Sequence, residues 1–343
     1  MDLEAADEVA VVGDDVSKAD GMACVDFGDG AVPGGWPDWP EWPEWLEARM
    51  LPDSRFAKSY ATFEDDARAL LKRTIAAHFT FAAPRRIART EHSQMLPSGL
   101  TRTATTRAVD CVLLLTDSSL DAPALALAAL MPALTCGAPN VLVARLGSAS
   151  SLPHSLLTAC EIAGQERVAA LGPVQAERLV RELAERAHAG STCVILYAAS
   201  PAVMRVLDRP SLRPLLHSHC LRLVPLAPPA RCGVWRDAPT DLPQPILDLL
   251  YPGLDTVCGG APCGSDSAPH PTQRQFQEFL ALPFNLLLVP DERVAEVVHH
   301  SAQTACVVVG EGALGLWAWP GLHAELFSQS SVAFSAVAFS SAR

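Results

Sequence analysis

The chain has 343 residues, 49% hydrophobic and 19% charged, with a formal net charge of −12. That length can bury a core that needs no disulfide or metal staple, and the composition excludes global disorder. The acidic balance argues against nucleic acid and anionic membrane as partners, because both require clustered Lys and Arg.

Taken in order, residues 1–50 read as an acidic arm rich in Trp and Pro, dominated by Asp, Glu, Gly and Pro with no helical or strand period. Its start, Met1-Asp2-Leu3-Glu4, has neither the basic residues nor the apolar core of a secretory signal. Trp36, Trp39, Trp42 and Trp45 recur every third residue with Pro37, Pro40 and Pro43 between them. A polyproline II helix turns once in three residues, so the four indoles would share one face. That face either packs on the chain's own body or docks a partner.

Residues 51–104 read as a helical segment, with Phe63, Ala67, Leu70, Leu71 and Ile75 near helical spacing within a single helix over 55–81. Residues 84–89 form the concentrated basic run, with Arg102 and Arg107 close behind; it is either a solvated face or an anion contact.

Residues 105–230 alternate strand and helix. The apolar runs 111–115, 141–144, 167–171, 192–197 and 221–226 read as strands, and 122–136, 152–163, 175–186 and 203–207 as helices. Such alternation predicts an α/β fold with a Rossmann-like parallel sheet and flanking helices. Residues 122–144 are uncharged and long enough to raise the question of a membrane span, but Pro123, Pro132 and the breaker at 137–140 divide them.

Residues 231–275, rich in Pro and Gly, read as a linker or lid. Residues 276–343 read as a second, smaller α/β unit, with a helix at 273–280 leading in, strands at 285–289 and 305–309, and a helix at 291–301 capped by Asp291. The final run 331–339 alternates apolar and small residues like an edge strand, which makes a homodimer an expectation. The ten cysteines are scattered, several within predicted strands and helices, as reduced thiols behave. That pattern points to a reducing compartment, the cytoplasm.

No three-glycine dinucleotide fingerprint, phosphate loop or nucleophile elbow is present. Ligands of open parallel sheets sit beyond the carboxyl ends of the strands, here residues 116–119, 147–148, 172–173 and 198–200. Those loops are small and polar, which suits a nucleotide. Cys258 and Cys263, in the glycine-rich segment, are candidate nucleophiles. His217, His219, Cys220 and Cys232 supply metal-ligand types, but their spacing fits no common zinc module. His299 and His300 close a predicted helix, where cationic rings favour the carbonyl end.

Met131-Pro132-Ala133, Gly137, the run 156–164 and Gly172-Pro173-Val174-Gln175-Ala176 together resemble the cofactor half of histidinol dehydrogenase, in the wider aldehyde dehydrogenase-like group. The resemblance covers about 70 residues and implies NAD as cofactor. It places Gln175 at a cofactor contact, Gly172 at the first glycine of the same motif, and Thr116 and Asp117 beside the nicotinamide. Downstream the pattern departs from the family. Phe284-Asn285 stand where the family has a Glu-His base, and Leu316 replaces a zinc-ligating Asp in a stretch that keeps His323. Zinc is therefore not expected, and Cys258 and His323 are the catalytic candidates. The resemblance leads to a divergent NAD-dependent oxidoreductase of a small alcohol or aldehyde. The alternative is a non-catalytic relative serving as a nucleotide-binding or assembly subunit.

Overall fold

The computed structural model describes residues 42–81, 90–188, 191–262, 270–300 and 307–336. Trp36, Trp39, the basic run 84–89, Cys263 and the start of the strand expected at 305–309 lie outside the described residues.

The main sheet is parallel, built from β3 (Cys111–Thr116), β4 (Val141–Leu146), β5 (Val168–Leu171), β6 (Cys193–Ala198) and β7 (Leu221–Leu226) in the order β5-β4-β3-β6-β7. The chain enters at β3, winds outward to β5, and returns to β6 and β7 on the other side of β3. β3 and β4 are buried at every position, which is why they read as continuous apolar runs rather than alternating ones. The connecting helices are α4 (Pro123–Thr135), α5 (His154–Ile162), α6 (Pro173–His188) and α7 (Pro201–Leu207). Right-handed crossovers put α4 and α5 on one face and α6 and α7 on the other. The helix pairs α4 with α5 and α6 with α7 are in contact.

Two helices precede this sheet where one was expected. α2 (Asp53–Thr62) ends at Phe63, whose backbone is extended, and α3 (Asp65–Phe81) begins afresh with two acidic residues in its first turn. Arg68 joins them, donating to the Tyr60 and Phe63 carbonyls and the Asp65 carboxylate. α2 packs on α5, and α3 on α4. The polyproline reading fails at its described end, because Glu44–Glu47 forms a short helix, α1. Trp42 is buried, and the Trp45 indole donates to Glu182 at 3.1 Å while the Arg178 guanidinium lies over its ring. These two tryptophans therefore pack on the chain's own body.

The segment read as linker or lid, 231–275, instead carries β8 (Cys232–Arg236), α8 (Gln244–Leu250) and β9 (Thr256–Gly260). With β10 (Leu286–Val289) and β11 (Val307–Gly310) these form a second parallel sheet in the order β11-β10-β8-β9. The second α/β structure thus starts at Cys232, well ahead of 276. Its glycines serve packing rather than looping: a Cβ on Gly259 would lie 2.6 Å from the Phe279 ring and 2.9 Å from Trp235. α9 (Gln273–Leu280), opened by a Thr272/Gln275 capping box, and α10 (Asp291–His300) complete this unit. Trp235, Phe276, Phe279 and Phe284 fill one side of it. Val234, Leu286 and Leu288 join the core of the main sheet.

A third sheet was not foreseen. β1 (Thr90–Met95) and β2 (Thr101–Ala108) form an antiparallel hairpin inside the stretch expected to be helical, and β12 (Ser328–Ser335) pairs with β2 in the order β1-β2-β12. β1 is polar almost throughout and β2 is rich in Thr, with little alternation of burial in either, so no period announced these two. The closing run is an edge strand, as expected, but of this sheet rather than of the second unit.

His78 of α3 is buried, and its Nε2 donates to the Gly315 carbonyl at 3.2 Å. Burial pulls its pKa from 6.5 to about 4, so the folded chain keeps the ring neutral where the unfolded chain protonates it. The associated stability is complete above pH 6.5 and declines as pH falls toward 4. Urea unfolding at pH 7 and pH 4.5 should show a loss of about 2 kcal/mol from this residue, absent in His78→Gln. Equal losses in both proteins would contradict it.

Candidate functional site

The winding of the main sheet reverses between β3 and β6, and the loops that follow these strands border the crevice where such sheets take ligands. Asp117, just beyond β3, spans it. Its Oδ1 accepts from the Ser119 amide at 3.0 Å and the Ser119 hydroxyl at 2.6 Å, and its Oδ2 accepts from the Ser200 hydroxyl at 2.5 Å. Burial pushes the Asp117 pKa up, but the Ser119 and Ser200 hydrogen bonds and the nearby Arg145 charge more than reverse it, and the net shift is downward. Asp117 is thus an anion held by two loops. Ser200 also caps α7 through the Val203 amide.

Beside this tie lies a cavity of about 700 Å³, lined by Asp117, Ser118, Gly147, Arg145, Arg205 and Arg209 among others. Pro173, at the start of α6, is also in its wall, so the positive end of a 16-residue helix faces it. Arg145 is buried at the end of β4 and donates to both oxygens of Asp121 at 2.8 Å and to the Ser151 hydroxyl at 2.9 Å. Gly147 has φ of +126°, and a Cβ there would come within 3.2 Å of the Arg145 guanidinium, so glycine lets the loop close over the arginine. Arg209 pairs with Glu177, which also accepts from Arg181 and from Ser211. Among the described residues Arg205 has no carboxylate partner; its Nε donates to the Pro201 carbonyl.

The expected site residues fall in three places. Asp117 lines the strand-end cavity, and Thr116 is buried beneath it, donating to the Asp117 carbonyl. The Gly172 amide donates to Gln175 Oε1 at 2.9 Å, so the Gly172/Gln175 spacing makes half of a capping box at the start of α6. Cys258 is exposed on β9, an edge strand rather than a flexible loop, across from Val234. Burial, with a smaller effect from Cys258, pushes the nearby Cys232 thiol up to about 12. His323 is exposed and lines a separate cavity of about 240 Å³ with His78, Pro132 and Trp319. Leu316 lines an apolar cavity of about 450 Å³ with Trp317 and Val307–Gly310.

Neither the candidate nucleophile nor His323 lines the strand-end cavity. His217 and His219 are exposed in the turn before β7, far in environment from buried Cys232. Among the described residues no group of three or more His, Cys, Asp and Glu is arranged to hold a metal. No helix there is long and apolar enough to cross a membrane. Reading strand ends alone missed the arginines. Arg205 on the helix that follows the Ser200 loop and Arg209 just beyond its end were the available signal.

In structure the chain is similar to histidinol dehydrogenase from Elizabethkingia anophelis, at 10% identity over 83% of this chain and 76% of that one, with a TM-score of 0.49. It is similar to succinate-semialdehyde dehydrogenase from Burkholderia pseudomallei, at 12% identity over 85% and 88% of the two chains, with a TM-score of 0.42. It is also similar to aldehyde dehydrogenase from Brucella melitensis biovar abortus 2308, at 14% identity and a TM-score of 0.35, over 78% of this chain and 52% of that one, so it spans about half of that enzyme's length. No protein-family model matches the sequence, and no curated protein matches it in sequence.

Gln175→Ala should lower the unfolding free energy by about 1 kcal/mol through loss of the α6 cap, as measured in urea at pH 7. An unchanged midpoint would contradict a capping role for Gln175.

Proposed function

We propose that this chain binds a nicotinamide dinucleotide of the NAD type in the strand-end cavity and acts as a divergent oxidoreductase on a small alcohol or aldehyde. The observation that carries the reading is the position and lining of that cavity: beyond the carboxyl ends of β3 and β4, walled by the start of α6 and by arginines, in a chain whose net charge is −12. The residues fit phosphate. Arg205 offers a guanidinium with no carboxylate partner among the described residues, Ser118 offers a hydroxyl, and the α6 terminus offers a favourable field. The cofactor, when bound, supplies hydride transfer. Asp117 keeps the loops on either side of the sheet reversal at a fixed spacing, so the cavity is formed before a ligand arrives.

In this reading Cys258 is the nucleophile, and zinc has no part because Leu316 stands where the resembling family has Asp. A second reading, a non-catalytic nucleotide-binding or assembly subunit, is favoured by one observation: Cys258 and His323 lie on different elements, neither in the cavity wall. We place the protein in the cytoplasm from its free thiols, and propose a homodimer through the outer edges of the third sheet, where Met95, Val332 and Phe334 are exposed.

Calorimetric titration of the full chain with NADH should give saturable binding, followed by turnover on an aldehyde and amino-alcohol panel that Cys258→Ala abolishes. Absence of binding at about 1 mM cofactor, a level where weak sites of about 4 kcal/mol still register, would refute the reading. Binding without turnover would favour the subunit. Light scattering should report twice the mass of 36.5 kDa, and a monomer mass would contradict the dimer.

A further inference from the structure

In sheets wound like this one, the second strand ends beside the adenosine ribose, and the residue type there decides between the two dinucleotides: a carboxylate accepts from the ribose 2′-hydroxyl, whereas an arginine receives a 2′-phosphate. Here the second strand in winding order is β4. The loop after it, Gly147-Ser148-Ala149-Ser150-Ser151, has no carboxylate, and the strand itself delivers Arg145. The carboxylate that does line the cavity, Asp117, already accepts three hydrogen bonds from Ser119 and Ser200 and is turned toward the protein.

Charge points the same way. Arg145 is paired with Asp121, and Arg209 shares Glu177 with Arg181, so both cations already have a carboxylate partner. Arg205 is exposed, lines the same cavity and has no acidic partner among the described residues. A dianionic group beside it would gain a charge-assisted hydrogen bond that a ribose hydroxyl cannot match. The Ser151 hydroxyl accepts from Arg145 at 2.9 Å and gives its own hydrogen to the Ser148 carbonyl at 2.8 Å, which leaves Arg205 to supply the donor.

We infer that the strand-end cavity selects the 2′-phosphorylated dinucleotide, NADP(H), over NAD(H), with Arg205 as the specificity-determining residue. This rests on the dinucleotide reading of the cavity and names which of the two forms it takes. The arrangement leaves the reaction class unchanged, since both forms carry the same nicotinamide.

The test is parallel fluorescence titration of the full chain with NADPH and NADH at neutral pH and low salt, with adenosine 2′,5′-bisphosphate and adenosine 5′-monophosphate as competing fragments. NADPH should bind about tenfold or more tightly than NADH, and the bisphosphate should compete better than the monophosphate. In Arg205→Ala the affinity for NADPH should fall by more than that for NADH, so that the preference drops to about threefold or less, a difference that loss of folding would not produce. Because Arg205 is exposed, that variant should keep the parent's unfolding midpoint; Arg205→Lys, which retains charge, should restore part of the preference. Equal affinities, or tighter NADH, would overturn this inference and leave the dinucleotide reading standing. Binding of neither dinucleotide would overturn both. A preference that survives Arg205→Ala would overturn the assignment to Arg205.

Discussion

The tie between Asp117 and Ser200 is the constraint on which the rest of the site depends. A carboxylate at this depth is costly unless its lone pairs are filled, and here three donors from two loops fill them. The result is a negative charge that joins the ends of β3 and β6 at the point where the sheet reverses direction. The opening is displaced toward β4 and the start of α6. There Arg145 occupies the floor, and it stays beneath the loop because residue 147 is glycine. Arg145 is in turn held by Asp121, so one anchored carboxylate beyond β3 and another near α4 set the shape of a cavity whose remaining charge comes from α7.

A similar logic fastens the lower end of the sheet. Asp110 accepts from the Thr192 amide at 2.7 Å and hydroxyl at 3.0 Å and pairs with Arg107, joining the end of β2 to the starts of β3 and β6. Burial raises its pKa, but Arg107 and Thr192 together lower it further than burial lifts it. The sheet is thus bracketed by an ionised aspartate at each end of its central strand pair. Apolar burial fills the space between, where β3 and β4 are covered on both faces.

How much of this was legible differs by element. The five strands of the main sheet could be read because burial on both faces leaves uninterrupted apolar runs such as Val112-Leu113-Leu114-Leu115. The glycines at 259 and 260 misled, since they look like loop punctuation but make room for Phe279, Trp235 and the Arg236 carbonyl. β1 and β2 were missed because neither the polar run of β1 nor the Thr-rich β2 carries apolar alternation. Of the expected site residues, Asp117 lines the cavity, whereas Gly172 and Gln175 bond to each other in a cap of α6 outside its wall. Arg145, Arg205 and Arg209 come from two distant stretches that only the β4-β3-β6 order brings together, and no single window of sequence contains them.

The chemistry is more dispersed than the binding surface. Cys258 sits on the outer edge of the second sheet and His323 beside α4, while Leu316 lines a separate apolar cavity. Recognition of a phosphorylated nucleotide at the strand ends is therefore the central claim. Hydrogen exchange of the full chain with and without NADPH tests it most directly, because it reports position as well as binding. The account predicts slowed exchange at 117–121, 146–152 and 199–206. Slowing confined to the apolar cavity around 307–319, or none at all, would contradict it.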